Sequence, residues 1–379
     1  MIIIQIHSAH IGICLLDSVL FGTFLVKMKQ FNVIGLMSGT SLDGLDIVYV
    51  SFKLDDKYWK YEIINSITYK YEKKWISQLQ NISQEKIYSI RKIDADYTKL
   101  LSKYIINFIN EFSIENIDFV SSHGHTAIHK PSDSITYQIG NLPILAKYIN
   151  QKVVCDFRVQ DVEFGGQGAP LVPAGEEYLF PEYNTLINLG GFANITKRIK
   201  NNLIAYDICP INIVFNHLSR KMKLKYDDGG YIASTGNMNE DLYNHLQRLN
   251  YYKQNPPKSL GVEWVNIQIQ SILNDFQDIP IKDLMNTFSN HFAFQIAKNI
   301  GDRDEVLLTG GGAYNDYLIE KIKNLTNSKI SIPDPKIIEF KEALIFPFLG
   351  LLRVLEINNC YSSVTGAKIN HCSGKIYNP

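Results

Sequence analysis

The feature that most constrains this chain is a set of strand-like runs that stop at glycine. The stretch VIGLMSGTSLDGLDIVYV, residues 33–50, is an apolar run, a tight polar segment holding two glycines and two aspartates, and a second, alternating apolar run. TLINLGGFAN at 185–194 and EVLLTGGGAYN at 305–315 follow the same scheme, and EFGGQGAP at 163–170 adds a fourth glycine turn. Short apolar runs bounded by turn residues read as strands. Glycine at a turn allows positive φ and close approach to a ligand, while exposed N–H groups and Ser or Thr hydroxyls donate to phosphate oxygens. One such turn is usually only a turn, but four in one chain predict phosphate cradles. None has the spacing of a Walker loop or of the dinucleotide fingerprint, which disfavours a P-loop enzyme and a Rossmann dehydrogenase.

Runs at 33–37, 45–54 and 61–70 predict a sheet built from hairpins. Apolar residues at helical spacing over 90–112 predict a helix that leads into the short buried strand of NIDFVSSHGHT. Later strands VVCDF, TLINL and EVLLT alternate with helices expected at 284–299 and 316–325. The expected class is α/β, with ligand loops at strand ends. With 379 residues, 45% of them hydrophobic, the chain is long enough for two lobes with a ligand cleft between them. Lys plus Arg and Asp plus Glu each number 38, so no net field favours nucleic acid or an anionic membrane, and a small molecule is the expected partner. Cys14, Cys155, Cys209, Cys360 and Cys372 are odd in number and lack any C-x-x-C pair. That spacing suggests neither a disulfide framework nor a zinc site and points to a reducing compartment. Residues 1–28 are apolar but carry His7, His10 and Asp17 and lack a basic start and a cleavage site. They are expected to be an extension outside the fold.

In the opening stretch, Gly39, Thr40, Ser41 and Gly44 can present N–H and O–H donors to the phosphates of a nucleotide. Asp43 and Asp46 stand where carboxylates hold Mg²⁺ directly or through water. A solvated hairpin with Asp43 stabilising its turn is the plainer alternative. SSHGHTAIH offers His123, His125 and His129; this could form a metal set, although the surrounding Ser, Gly and Thr suit hydrogen bonds to sugar hydroxyls better.

In order, GLMSGTSLDGLDIV, SSHGHT, QIGN, DFRVQDVEFGGQGAPLVP, LINLGGFANIT, PPKSLGVEW, LTGGGAYN and VTGA resemble the motifs of the anhydro-N-acetylmuramic acid kinase family. The resemblance runs from about residue 33 to residue 367. It implies two RNase H-like lobes of the actin-like ATPase type: the first over 29–150 with 355–379 returning to it, the second over 151–354. It also implies an enzyme that uses ATP and Mg²⁺ to open and phosphorylate 1,6-anhydro-N-acetylmuramic acid in peptidoglycan recycling, in the cytoplasm and as a homodimer.

Carried over by residue, the loop Gly39, Thr40, Ser41, Leu42, Asp43, Gly44, Leu45 and Asp46 would hold the nucleotide, with Asp43 and Asp46 on the metal. Gly190, Gly191 and Asn194 would form a second phosphate turn, and Gly310, Gly311 and Gly312 would lie against the adenosine. Asp207, in AYDICPINIVFN, would be the base; a helix N-cap before proline is its plainer reading. The resemblance places His123, His125, Thr126, Arg158, Asn212 and Glu342 near the sugar, Arg158 as a bidentate partner of the lactyl carboxylate or, equally, a structural ion pair. Asp161 reads as a supporting carboxylate beside its glycine turn. Two departures stand out: Cys209 and Ile211 where many members have glycine, and His125 where many have glutamine. They leave open a kinase of the same fold for another anhydrosugar or amino sugar, and a non-catalytic nucleotide-binding member.

Overall fold

The computed structural model describes residues 30–39, 42–200 and 202–379. The expected extension at 1–28 and the loop residues Thr40 and Ser41 lie outside the described residues. The chain divides into two compact units. The first runs to Gly168 and includes Glu342–Cys360 and Lys368–Pro379; the second is Ala169–Lys341 with Tyr361–Ala367.

In the first unit β1 (Gln30–Met37) pairs antiparallel with β2 (Gly44–Asp55), which pairs antiparallel with β3 (Tyr58–Lys70). On the other side of β1 lie β4 (Phe119–Ser122) and β7 (Val153–Cys155), both parallel to it, and an antiparallel edge strand, β13 (Lys375–Tyr377). Val33, Ile34 and Leu36 of β1 are fully buried, as a central strand covered on both faces requires. β5 (His125–Lys130) and β6 (Ile135–Ile139) form a hairpin of their own. The expected helix is Ile87–Glu111; it buries Ile90, Tyr97, Leu101, Ile105 and Phe108 at spacings of one and two turns, each apolar side chain contributing roughly 1.5–3 kcal/mol. On β1, Gly35 is required by space, because a Cβ there would stand 2.4 Å from the Ala343 carbonyl oxygen and 2.5 Å from the Pro347 ring. The unit extends past residue 150 because the turn at 165–168 is hydrogen-bonded into it: Gly168 N–H donates to Asp161 Oδ2 (2.7 Å), and Arg158 Nη1 donates to the Gly168 carbonyl (2.6 Å).

The second unit repeats the topology. β8 (Thr185–Leu189), β9 (Phe192–Ile199) and β10 (Asn202–Pro210) form an antiparallel meander, and β11 (Glu305–Thr309) and β12 (Lys329–Ser331) continue the sheet in parallel from β8. Setting aside the antiparallel edge strand β13, each unit's sheet runs in the order third, second, first, fourth, fifth of its own strands, with the second one reversed. That is the RNase H-like arrangement expected from the sequence, present twice although no repeat of fixed period exists in the residues. Helix Ile281–Asn299 buries Leu284, Met285, Phe288, Phe292 and Ile296 in the apolar core of this unit. Among the described residues no helix is long and apolar enough to cross a membrane.

Candidate active site

At one end of the second unit's sheet the chain gathers polar side chains around a carboxylate. Asn194 and Asp207 are register partners on β9 and β10, so their side chains share a face of the sheet. Asn194 Nδ2 donates to Asp207 Oδ1 at 2.8 Å, and Asn188 Nδ2 donates to Asn194 Oδ1 at 3.2 Å. The other carboxylate oxygen, Oδ2, accepts the Leu260 N–H at 2.8 Å. The backbone is clamped as well: Asp207 N–H donates to the Lys258 carbonyl (3.2 Å), and the Tyr251 hydroxyl donates to the Asp207 carbonyl (2.6 Å). Both oxygens of a half-buried carboxylate are thus fixed in direction while lone pairs remain to accept a proton. Tyr251 keeps its own proton, its hydroxyl pushed up by burial and by the Asp207 charge. The sequence reading missed Leu260, Lys258 and Tyr251 as site residues; PPKSLGVEW was a recognised motif with no assigned contact.

Two glycine turns of the second unit adjoin the amides that lead to this carboxylate, because a Cβ at Gly190 or at Gly310 would meet the Asn188 side chain. The Gly190–Gly191 turn joins β8 to β9, and its carbonyls accept from the N–H groups of Asn212 and Ile211 (3.3 and 2.8 Å). Asn212 Nδ2 donates to the Leu189 carbonyl at 3.1 Å, so Asn212 braces the turn. After β11, Gly310 takes φ 79° and ψ 165°, a conformation essentially reserved for glycine. Positions 191 and 311 are open, with no atom within 4 Å of where a Cβ would stand. That open space beside backbone N–H donors fits the polyphosphate of a nucleotide.

The side chains of Cys209 and Ile211 turn away from solvent. Both are fully buried in the apolar core with Val214 and Phe215. A register shift between Asp207 and Cys209 breaks the strand alternation, so Ile208 and Cys209 both turn inward while Asp207 stays at the surface.

In the first unit, the turn from β1 to β2 carries Gly39, Leu42, Asp43 and Gly44. Leu42 has φ 58° and packs on the unit's core. Leu45 is buried in that core, so it can meet a ligand only through its backbone. Asp43 is exposed, and Asp46 is half-buried with Oδ1 accepting from Thr68 Oγ1 at 2.6 Å. Two carboxylates stand on one hairpin, one exposed and one oriented, and oxygen donors of this kind are what Mg²⁺ takes.

Beneath this turn, His125 Nδ1 lies 3.0 Å from Ser38 Oγ, which accepts from the Tyr71 hydroxyl (2.8 Å); Tyr71 and Tyr97 hydroxyls are 2.6 Å apart. The chain of donors runs consistently if Ser38 donates to a neutral imidazole, and burial does push His125 down to about 4. His125 therefore supports the end of β1. His123 is also neutral: its Nδ1 lies 2.9 Å from the Gly124 carbonyl and its Nε2 accepts from Arg158 Nε at 3.0 Å. Burial and the Arg158 charge hold it well below the ordinary histidine value. Arg158 also feels the attractive charge of Glu342. Thr126 is half-buried at the start of the β5–β6 hairpin, opposite Gln138. His129, three residues further along β5, pairs with Thr136 Oγ1 (3.1 Å). These partners account for the histidines as hydrogen-bonding groups.

The family model described as anhydro-N-acetylmuramic acid kinase matches residues 31–379. The anhydro-N-acetylmuramic acid kinase of Clostridioides difficile is 34% identical over 375 residues, covering 90% of this chain and 97% of that protein. That of Bacillus cereus is 31% identical over 378 residues, covering 92% and 99%. Among solved structures, the activator of the 2-hydroxyisocaproyl-CoA dehydratase from Clostridium difficile with bound ADPNP is 15% identical, with a TM-score of 0.43 over 84% of this chain and 94% of that one.

Proposed function

This chain belongs to the anhydro-N-acetylmuramic acid kinase family, a family of cell-wall recycling kinases, and from that premise we propose that Asp207 is the base with which it opens 1,6-anhydro-N-acetylmuramic acid. An anhydrosugar has no free 6-hydroxyl, so the proton to be removed belongs to water. Asp207 takes that proton as the water oxygen bonds to the anomeric carbon. The bond from that carbon to O6 breaks, and O6 bonds to the γ-phosphorus of ATP as ADP leaves, giving N-acetylmuramic acid 6-phosphate. The observation that carries this reading is the double clamp on the carboxylate, Asn194 on one oxygen and the Leu260 N–H on the other. A fixed base can hold one water in attacking position at little entropic cost.

Asp43 and Asp46 are the proposed Mg²⁺ ligands, and the metal, when bound, neutralises charge on the transferring phosphoryl oxygens. The turns at 190–191 and 310–312 are the proposed nucleotide contacts, through backbone N–H groups. Of the side chains that the resemblance places near the sugar, Arg158, with Glu342 beside it, is the proposed partner of the lactyl carboxylate, and Thr126 a hydroxyl contact. His123, His125 and Asn212 act as supports. Cytoplasmic location and a homodimer complete the proposal; sedimentation velocity tests the latter.

The experiment is phosphate transfer from γ-labelled ATP to 1,6-anhydro-N-acetylmuramic acid by the wild type and by Asp207→Asn. Labelled sugar phosphate with the wild type and a loss of several orders of magnitude in the variant is the expected result. ATP binding without labelled sugar in the wild type would remove the substrate assignment, and an active Asp207→Asn would remove the base.

A further inference from the structure

The sequence spacing of the cysteines argued against a metal site, but the fold assembles three donors that are far apart in the chain. Cys360 and His371 are partners in an isolated antiparallel bridge, exchanging backbone hydrogen bonds of 3.1 Å and 3.0 Å. Residues opposite one another in such a bridge put their side chains on the same face. Asp161, on the short helix Val159–Glu163, approaches that face. The carboxylate oxygen, the thiol sulfur and the imidazole nitrogen all lie within 4.8 Å of one another, and all three side chains are buried.

Four further observations indicate that something belongs between them. His371 is 5% exposed, and its Nδ1 lies 3.1 Å from the Ile369 carbonyl, which fixes Nδ1 as the protonated nitrogen and turns the Nε2 lone pair inward. Nε2 is buried without a hydrogen-bond partner, a costly state for a polar atom. It stands 3.6 Å from Asp161 Oδ1. That is too long for a direct hydrogen bond, yet close to the edge of a tetrahedron of ligands about 2.0–2.3 Å from a central ion. Asp161 Oδ2 meanwhile accepts the Gly168 N–H at 2.7 Å, the kind of outer contact that orients a ligating carboxylate, as the Ile369 carbonyl orients the imidazole.

We propose that Asp161, Cys360 and His371 form a structural site for a divalent transition-metal ion of the zinc type, tying the helix and turn at 159–168 to the C-terminal segment. The donor set of one oxygen, one nitrogen and one sulfur suits a tetrahedral d¹⁰ ion and argues against Mg²⁺ or Ca²⁺. Binding displaces the Cys360 proton to solvent as the sulfur–metal bond forms. Without a cation the buried thiol keeps its proton, since burial and the Asp161 charge push it up. Arg158, which favours the thiolate, has Glu342 as its counter-charge. All three residues belong to the first unit, and the proposal does not depend on the role of Asp207.

The test uses the full chain, stripped with chelator and titrated with Co²⁺ alone. The expected result is tetrahedral cobalt bands in the visible and a thiolate-to-cobalt charge-transfer band in the near ultraviolet, saturating at about one equivalent. The charge-transfer band is expected to be lost in Cys360→Ser and kept in Cys372→Ser and Cys155→Ser. Zn²⁺ should displace the cobalt and raise the Tm of the wild type. A wild-type chain that shows no charge-transfer band at stoichiometric Co²⁺ overturns the proposal, whatever the variants do. A band that survives in Cys360→Ser, or vanishes in Cys372→Ser alone, overturns it equally.

Discussion

Asn194 and Asp207 face each other across β9 and β10 as register partners, joined by a 2.8 Å hydrogen bond from the amide to the carboxylate. The sheet itself aims the base. Asn194→Ala removes a donor to a charged acceptor, an interaction worth roughly 1.5–3 kcal/mol. It should lower kcat by about 10- to 100-fold, with the KM for ATP changed far less. Steady-state kinetics checks this: a variant whose loss appears only in the KM for ATP would place Asn194 on the nucleotide.

Gly310 adopts φ 79° and ψ 165°, and a Cβ there would stand 2.6 Å from Asn188 Oδ1. Asn188 donates to Asn194, so the substitution Gly310→Ala strains the backbone and also pushes on the chain of amides that reaches Asp207. A cost of about 1–3 kcal/mol in stability together with reduced kcat is expected. Urea unfolding and turnover, measured on the same preparation, should fall together.

His125 lies beneath the β1–β2 turn with its value pushed down to about 4 by burial, against about 6.5 in an unfolded chain. As pH falls below about 6.5 the unfolded chain takes up a proton at this residue while the folded one does not, so stability present above that pH is lost as pH falls toward 4. The full contribution is about 3 kcal/mol. His123 and His291 are lowered in the same direction, so the total dependence exceeds one residue's share. His125→Gln, which keeps an acceptor for Ser38, should flatten the fall of Tm between pH 6.5 and pH 4 in part. An unchanged slope would show that the imidazole is not kept neutral by the fold.

Glu176 and Lys341 form an ion pair of 2.7 Å with both side chains almost wholly buried. Removing one partner leaves a buried charge without its counter-ion. Lys341→Met alone should cost about 3–5 kcal/mol, whereas the double change Glu176→Leu with Lys341→Met should recover most of it. Denaturant unfolding of the three variants forms the cycle, and additive losses would show that the two charges do not interact.

Much of this architecture was legible because it is local. Strands ending at glycine, and a helix with apolar residues a turn apart from Ile90 to Phe108, need only short-range periodicity. The contacts that make the site are not local. Leu260 reaches Asp207 from 53 residues away, and Ser38 meets His125 across 87; spacing along the chain carries no trace of either. His125 and His123 carried the chemistry of sugar contacts in the sequence, while their hydrogen-bond partners Ser38 and Arg158 come from 87 and 35 residues away. The bulge at β10 defeated strand alternation, which would have put Asp207 and Cys209 on one face.

That bulge yields the last prediction. Cys209 is where many members of the family have glycine, and a reading by position alone makes it a determinant of sugar choice. In the fold its side chain is fully buried, in a core with Ile208, Ile211 and Phe215. Cys209→Gly therefore empties core volume and loosens a strand, at a cost of roughly 2–3 kcal/mol. It should leave the KM for the anhydrosugar within about twofold, because no sugar-facing atom is removed and a hydrophobic contact worth about 1 kcal/mol or more would shift it further. Urea unfolding and sugar-saturation kinetics on one variant separate the two cases. A stable Cys209→Gly protein with a KM for the sugar moved tenfold would mean that the residue faces the ligand and that β10 runs in the other register beyond Asp207.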